Sequence, residues 1–345
     1  MPLIAHNNMP SFEKLIAEGR TVLRPERAAQ QDIREMHIGL LNMMPDAALE
    51  ATERQFFRLV GESNKIAQFY MHPFTLPEIK RGPAAQAHID AYYDPFEKLQ
   101  EQGLDALIIT GANVSTPNLE DNEFWEPLQD IMDWGWNNVT STITACMASH
   151  AVMQFKYGQR RQALPQKHVG IFKSRVRARE HPLVRGMNTV FDVPHSRNNN
   201  ISWEQFEKAG MRILVNSFEG GVHMATSADG FRLVCFQGHQ EYDTISILKE
   251  YRRDFTLYME RKLEQKPVLP AHYFSSEALA LLEAYRENPQ GDFPEEAITP
   301  HIENTWRDSA RAIIGNWIGQ VYQTTNMDRT KQFMDGVDPN NPLGM

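Results

Sequence analysis

Three side chains in this sequence have the types and the order that nucleophilic catalysis needs. Cys146 lies where a β-branched run, TSTITA (140–145), meets a run of helical character, CMASHAVMQFKYG (146–158). At such a strand-to-helix junction the helix N-terminus favours a thiolate, and a free backbone N–H can receive an oxyanion. On type alone, a cysteine after a strand is more often a small buried hydrophobe, so the reading needs a partner. His239 supplies one just beyond the apolar stretch FRLVCFQ (231–237), with Glu241 two residues on. An imidazole there can take the thiol's proton, and a carboxylate beside it can hold the tautomer and stabilise the imidazolium. The second thiol, Cys235, sits inside the apolar stretch with no turn to expose it and reads as core.

The elements that must position these groups follow from hydrophobic periodicity. HIGLLNMM (37–44) is an apolar run closed by Pro45 and reads as a buried strand, and LEATERQFFRLVG (49–61) has helical spacing with Gly61 as its C-cap. IAQFYM (66–71), DALIIT (105–110) and TSTITA read as further strands, with a Trp-rich helix over 123–136 between the last two. Strands alternating with helices predict an α/β fold, a mostly parallel sheet flanked by helices. Cys146 and His239 then both lie beyond strand carboxyl ends, the rim where such sheets gather their functional groups. Residues 159–210 read as an inserted, loop-rich region. RILVNS, VHMATS and FRLVCFQ follow as short strands, then an amphipathic helix over 244–263. In the tail, Ile313, Trp317 and Val321 share one helical face. The expected organisation is an N-terminal segment (1–35), a catalytic α/β domain (36–263) and a C-terminal extension (264–345) packed on that domain.

Composition narrows the function. The 345 residues are 41% hydrophobic and 23% charged, which suits a packed core and excludes a disordered or fibrous chain. The charge is 35 − 44 = −9 with no basic block, which weighs against nucleic acid and anionic membranes as partners. Two cysteines fit a reducing cytosol rather than a disulfide scaffold. The first residues lack a secretory pattern, and no apolar run approaches the ~20 residues of a spanning helix. A soluble cytoplasmic protein handling small molecules is therefore expected. His37, His150, His168, His195 and His239 show no paired ligand spacing, so no metal site is expected. No phosphate- or dinucleotide-binding glycine pattern appears, and no bound cofactor is expected.

The Cys, then His-x-Glu order on an α/β sheet resembles the class I glutamine amidotransferase-like superfamily, whose fold is flavodoxin-like. Glutaminases of that group usually flank the nucleophile with glycines, whereas Thr144 and Ala145 precede Cys146 here and Met147 and Ala148 follow it. A narrower resemblance rests on LNMMP (41–45), ERQFFRLV (53–60), LIITGA (107–112), PHSR (194–197), GHQEYD (238–243), RRD (252–254) and NW (316–317). In their order and spacing, across about residues 36 to 325, these are similar to the homoserine O-acyltransferase family of methionine biosynthesis, in its homoserine O-succinyltransferase branch.

That resemblance implies a ping-pong reaction in which Cys146 takes an acyl group from an acyl-CoA co-substrate and passes it to the hydroxyl of L-homoserine. His239 would be the base and Glu241 its orienting carboxylate. Substrate contacts would fall on Lys167, Ser196 and Arg253, the last suited to a carboxylate through its planar fork. Oxyanion donors would be the N–H of Met147 and one from the turn after the first strand, at Met43 or Met44. The family's donor-reading position falls on Ser115, whose small neutral side chain favours succinyl over acetyl. Asp46-Ala47 stands where the family carries lysines, which removes a cation and leaves serine open as an alternative acceptor. The family further implies a homodimer. Two other readings stay open, a glutaminase or thiol hydrolase and a catalytically silent binding protein on the same scaffold.

Overall fold

The computed structural model describes residues 3–31, 33–64, 66–114 and 116–345. The N-terminal part runs β1 (Leu3–Ile4), α1 (Pro10–Ala17), β2 (Val22–Leu23), α2 (Pro25–Ala28), β3 (Glu35–Leu41), α3 (Asp46–Ser63), β4 (Gln68–Phe74), α4 (Pro83–Tyr92) and α5 (Phe96–Gln102). The middle continues with β5 (Ala106–Ile109), α6 (Trp125–Asn138), β6 (Ser141–Ala145), α7 (Met147–Tyr157), β7 (Gln162–Val176), β8 (Val190–Asn200) and α8 (Trp203–Lys208). Then come β9 (Arg212–Ser217), β10 (Gly221–Thr226), β11 (Leu233–Phe236), α9 (Ser246–Met259), α10 (Ser276–Glu287), α11 (Glu295–Ile298) and α12 (Arg307–Thr324). Among the described residues, no helix is long and apolar enough to cross a membrane.

Among the described residues, eleven strands join one sheet in the order β2-β1-β4-β3-β5-β6-β11-β10-β9-β7-β8. From β2 to β11 the pairing is parallel, and from β11 to β8 it is antiparallel. The expected α/β sheet is present, mixed rather than wholly parallel. Strand alternation divides its two faces between separate cores. On β5, Ala106 and Ile108 pack with Phe57 of α3 and Trp317 of α12, while Leu107 and Ile109 pack with Leu128 of α6 and Val152 of α7. Ile313, Trp317 and Val321 of α12 are fully buried, and Trp317 Nε1 donates to Ser141 Oγ at 2.8 Å. The final helix thus rests against the strand that leads to Cys146.

Three expectations need correction. The stretch 159–210 is not loop-rich, since β7 and β8 form a long antiparallel pair across much of it. Its polar positions hid the strands because the stretch 162–168 of β7 has no buried position, so neither face there carries an apolar alternation. Gly61 does not end α3, which continues to Ser63. A Cβ on Gly61 would lie 3.0 Å from Leu3 Cγ, so the glycine serves a close approach by β1 instead. Residues 3–23, read as a separate segment, add β1 and β2 to the edge of the same sheet.

Candidate active site

β6 delivers Cys146 to the sheet's carboxyl rim, and the backbone there is strained. Cys146 has φ 52° and ψ −113°, a region that L-residues avoid at a cost of roughly 1–3 kcal/mol. The turn is sharp because the peptide passes directly from β6 into α7, with the Cys146 N–H donating to Phe236 O on neighbouring β11 at 2.7 Å. Its consequence is exposure: Cys146 is partly accessible whereas Cys235, one strand away, is buried. Burial pushes the Cys235 thiol up to about 12 and leaves it inert. The Cys146 thiol points at the β8 backbone, donating to Ser196 O at 3.9 Å.

Because β11 lies parallel beside β6, the turn after it reaches the same rim. Gly238 lets that turn lie against β8 and β10, since a Cβ there would sit 2.5 Å from Val193 Cγ1 and 2.8 Å from His223 Nδ1. His239 N then donates to Pro194 O at 2.8 Å, and its ring stacks on Tyr242 at 4.1 Å. Glu241 Oε1 meets His239 Nδ1 at 2.7 Å. Burial alone would lower the imidazole's pKa, but the Glu241 carboxylate and the Cys146 sulfur that faces it hold it well above the usual histidine range. Nε2 has no oxygen or nitrogen partner, which leaves it to serve the thiol. The expected nucleophile, base and orienting carboxylate therefore meet at one place.

The three expected substrate residues converge on α9. Lys167, from β7, donates to Glu250 Oε2 at 3.0 Å and to Asp254 Oδ2 at 2.9 Å. Ser196, from β8, donates to the same Glu250 Oε2 at 2.5 Å, and Tyr242 donates to Oε1 at 2.5 Å. Burial would raise the Glu250 pKa, yet Lys167 and these hydroxyls hold it below the ordinary glutamate value, so it stays ionised. Arg253 lies at the open edge, its side chain 56% exposed, with Nε and Nη2 both on Asp254 Oδ1 at 2.9 and 2.7 Å. Glu250 is the hub of this cluster and escaped the sequence reading. A signal was present, since Glu250, Arg253 and Asp254 share a helical face at i, i+3 and i+4, but it matches any solvated charged face.

Two further arginines surround the thiol. Arg197 is 6% exposed and bonds to Gly220 O at 2.8 Å and Asn200 Oδ1 at 3.1 Å. Burial lowers its pKa to about 10, opposed by the charge of the Cys146 sulfur, and it stays cationic at neutral pH. Arg161 also feels the Cys146 charge and donates to Thr116 O at 2.9 Å. Ser115, the expected donor-reading position, lies outside the described residues.

Of the oxyanion donors, Met147 begins α7 beside Cys146, and as a first-turn residue its N–H has no intrahelical acceptor. The turn after β3 is differently disposed from expectation. Met43 N donates to Thr110 Oγ1 at 2.9 Å and Met44 N to Asn42 Oδ1 at 3.2 Å, so both are already committed. The backbone that does approach the thiol is Gly111, where a Cβ would lie 3.5 Å from Cys146 Cβ and 3.7 Å from Met147 N. Asp46, where a lysine was expected, takes Gly82 N at 2.7 Å and Arg81 Nη1 at 3.3 Å. Arg81 also donates to Met44 O at 2.5 Å. A cation is thus restored to this turn from 35 residues further along the chain. No group of three or more His, Cys, Asp or Glu able to hold a metal occurs among the described residues.

The profile of the homoserine O-succinyltransferase family matches residues 2–327. A homoserine O-succinyltransferase of Thiobacillus denitrificans is 58% identical, covering 100% of both chains. One from Thioalkalivibrio nitratireducens is 57% identical over 99% of both chains, and one from Cardiobacterium hominis is 50% identical over 100% of this chain and 99% of its own. Among solved structures, a glutamine amidotransferase of Thermotoga maritima superposes with TM-score 0.48 at 9% identity, over 84% of this chain and 100% of that one. By profile and by full-length identity to these relatives, the chain belongs to the homoserine O-succinyltransferase family.

Proposed function

We propose that this protein transfers a succinyl group from succinyl-CoA to the hydroxyl of L-homoserine, within methionine biosynthesis, through a thioester on Cys146. One observation carries the reading: a strained, accessible cysteine faces a histidine held by Glu241, beside a cluster of opposite charges on α9. The Cys146 thiolate attacks the thioester carbonyl of the donor, the carbon–sulfur bond to CoA breaks, and the departing CoA sulfur takes the proton of the His239 imidazolium. The homoserine hydroxyl then gives its proton to His239 as its oxygen attacks the acyl-Cys146 carbonyl, and the cysteine sulfur leaves. Each transfer passes through an oxyanion, which the Met147 N–H at the start of α7 would receive.

The acceptor is a zwitterion, and the α9 cluster suits one. Glu250 would receive the ammonium, Arg253 the carboxylate, and Lys167 and Ser196 would hold Glu250 in place. On the donor side, the buried guanidinium of Arg197 supports an acyl chain that ends in a carboxylate. We further infer a cytoplasmic homodimer that uses acyl-CoA as co-substrate and holds no cofactor.

The test is a matrix of acetyl-CoA and succinyl-CoA against homoserine and serine, read by CoA thiol release, with intact mass measured before acceptor is added. Succinyl-CoA with homoserine should be fastest, and succinyl-CoA alone should add one succinyl group to the chain. Preference for acetyl-CoA or serine, or glutamine hydrolysis without need of a CoA ester, would overturn the assignment.

A further inference from the structure

The helix α3 carries ERQFFRLV, a motif with no part in the chemistry above, yet three of its side chains close on one carboxylate in the catalytic turn. Arg58 Nη1 pairs with Asp243 Oδ1, while Arg54 Nη2 and Gln55 Nε2 reach Asp243 Oδ2 at 3.3 and 3.2 Å. Arg58 Nη2 also donates to Glu241 O at 3.2 Å. Trp306 of the C-terminal segment donates Nε1 to Tyr242 O at 3.0 Å. The next two carbonyls are taken as well, Asp243 O by Ser246 N at 3.0 Å and Thr244 O by Tyr273 OH at 2.7 Å. Four successive carbonyls of a short turn are thus held by partners on α3, on α9 and in the chain beyond α9. Such over-determination goes beyond what a solvated turn needs.

We propose that Arg58 and Trp306 are positioning residues for the reaction, holding successive peptides of the turn 239–243 so that Glu241 stays on His239 Nδ1. This rests on the reading of Cys146 and His239 as nucleophile and base. Arg58 has the geometry to do so, because one arm fixes the Asp243 side chain and the other the Glu241 main chain, and the fork sets the rotation of the peptides between them. Trp306 is 2% exposed and presents one N–H, which holds the Tyr242 carbonyl.

The expected signature is in the ionisation of the thiol. Groups facing His239 are Glu241 and Tyr242 on its own turn, Cys146 at the start of α7, Glu250 on α9, His195 on β8 and His223 on β10. Burial keeps His195 and His223 neutral and the Tyr242 phenol protonated, while Lys167 and its neighbours keep Glu250 ionised. Arg161 and Arg197, which face Cys146, stay cationic. Freeing Glu241 from His239 removes a charge that favours the imidazolium, so the His239 pKa falls. The Cys146 sulfur then loses the imidazolium that faces it.

Alkylation of Cys146 by iodoacetamide across roughly pH 5 to 9 reads this directly, with kcat and KM measured alongside. Arg58→Met and Trp306→Phe should each move the acid limb up by about one pH unit, which is about tenfold slower alkylation at low pH. The same variants should lower kcat about tenfold with little change in KM for the acceptor. Arg58→Lys keeps one contact of two and should recover part of the loss. A wild-type alkylation profile and kcat in folded Arg58→Met and Trp306→Phe would overturn the proposal. Should wild-type Cys146 alkylate with a profile that His239→Gln leaves unchanged, the nucleophile–base reading itself fails and this proposal falls with it.

Discussion

Cys146→Ala is expected to lower turnover by about four orders of magnitude or more and to abolish the succinyl adduct, while the chain stays folded. The size of the effect follows from the covalent relay. With no sulfur, the acyl group must pass directly from CoA to a hydroxyl, and His239 has nothing to activate until the acceptor is bound. Retained folding follows from the position: Cys146 is a small, partly exposed side chain whose hydrogen bond to Ser196 O is long, at 3.9 Å. Alanine also tolerates φ 52° no worse than cysteine does. Intact mass after mixing with succinyl-CoA, together with steady-state rates, checks this. Full turnover in the variant, or the same adduct on it, would remove Cys146 from the reaction. Cys235→Ala is the internal control, since a buried thiol raised to about 12 cannot take the acyl group.

Glu250→Gln is expected to raise KM for homoserine about a hundredfold while leaving the first half-reaction nearly unchanged. The magnitude comes from loss of one charge-assisted hydrogen bond to an ammonium, about 1.5–3 kcal/mol, with about 1.4 kcal/mol per tenfold. Glutamine keeps the volume and one accepting oxygen. The Ser196 and Tyr242 hydroxyls can rotate to meet it, and Lys167 keeps Asp254 at 2.9 Å. In the proposed reaction, acyl transfer to Cys146 precedes acceptor binding and uses none of these groups. Pre-steady-state CoA release should therefore match wild type while acceptor saturation fails. An equal loss in both half-reactions, with KM unmoved, would mean that Glu250 supports the site's architecture rather than the ammonium.

These two outcomes separate residues of different legibility. Cys146 could be found from the chain because its neighbours are local: a β-branched run before it, a helix after it and a His-x-Glu past a later apolar stretch. Glu250 could not, because its partners lie 83 residues back on β7, 54 back on β8 and eight back in the catalytic turn. No spacing rule connects such positions. Arg58 is hidden for the same reason, standing 185 residues from Asp243. Asp46 shows the converse, where a local departure from the family's lysines is offset by Arg81, brought against it in space.

Local order alone therefore determined the strand-helix alternation, the place of Cys146 on a carboxyl rim, and the buried face of α12 at Ile313, Trp317 and Val321. Each follows from periodicity or from a neighbour within one turn. Only the tertiary structure decided that β7 and β8 form an antiparallel pair rather than a loop, since the first half of β7 buries neither face and so carries no apolar alternation to read. It also decided which charges meet at the site, because ion pairs and buried hydrogen bonds are set by distance in space. Here that distance is fixed by β11 lying parallel beside β6 and by α9 lying against Lys167 of β7 and Ser196 of β8.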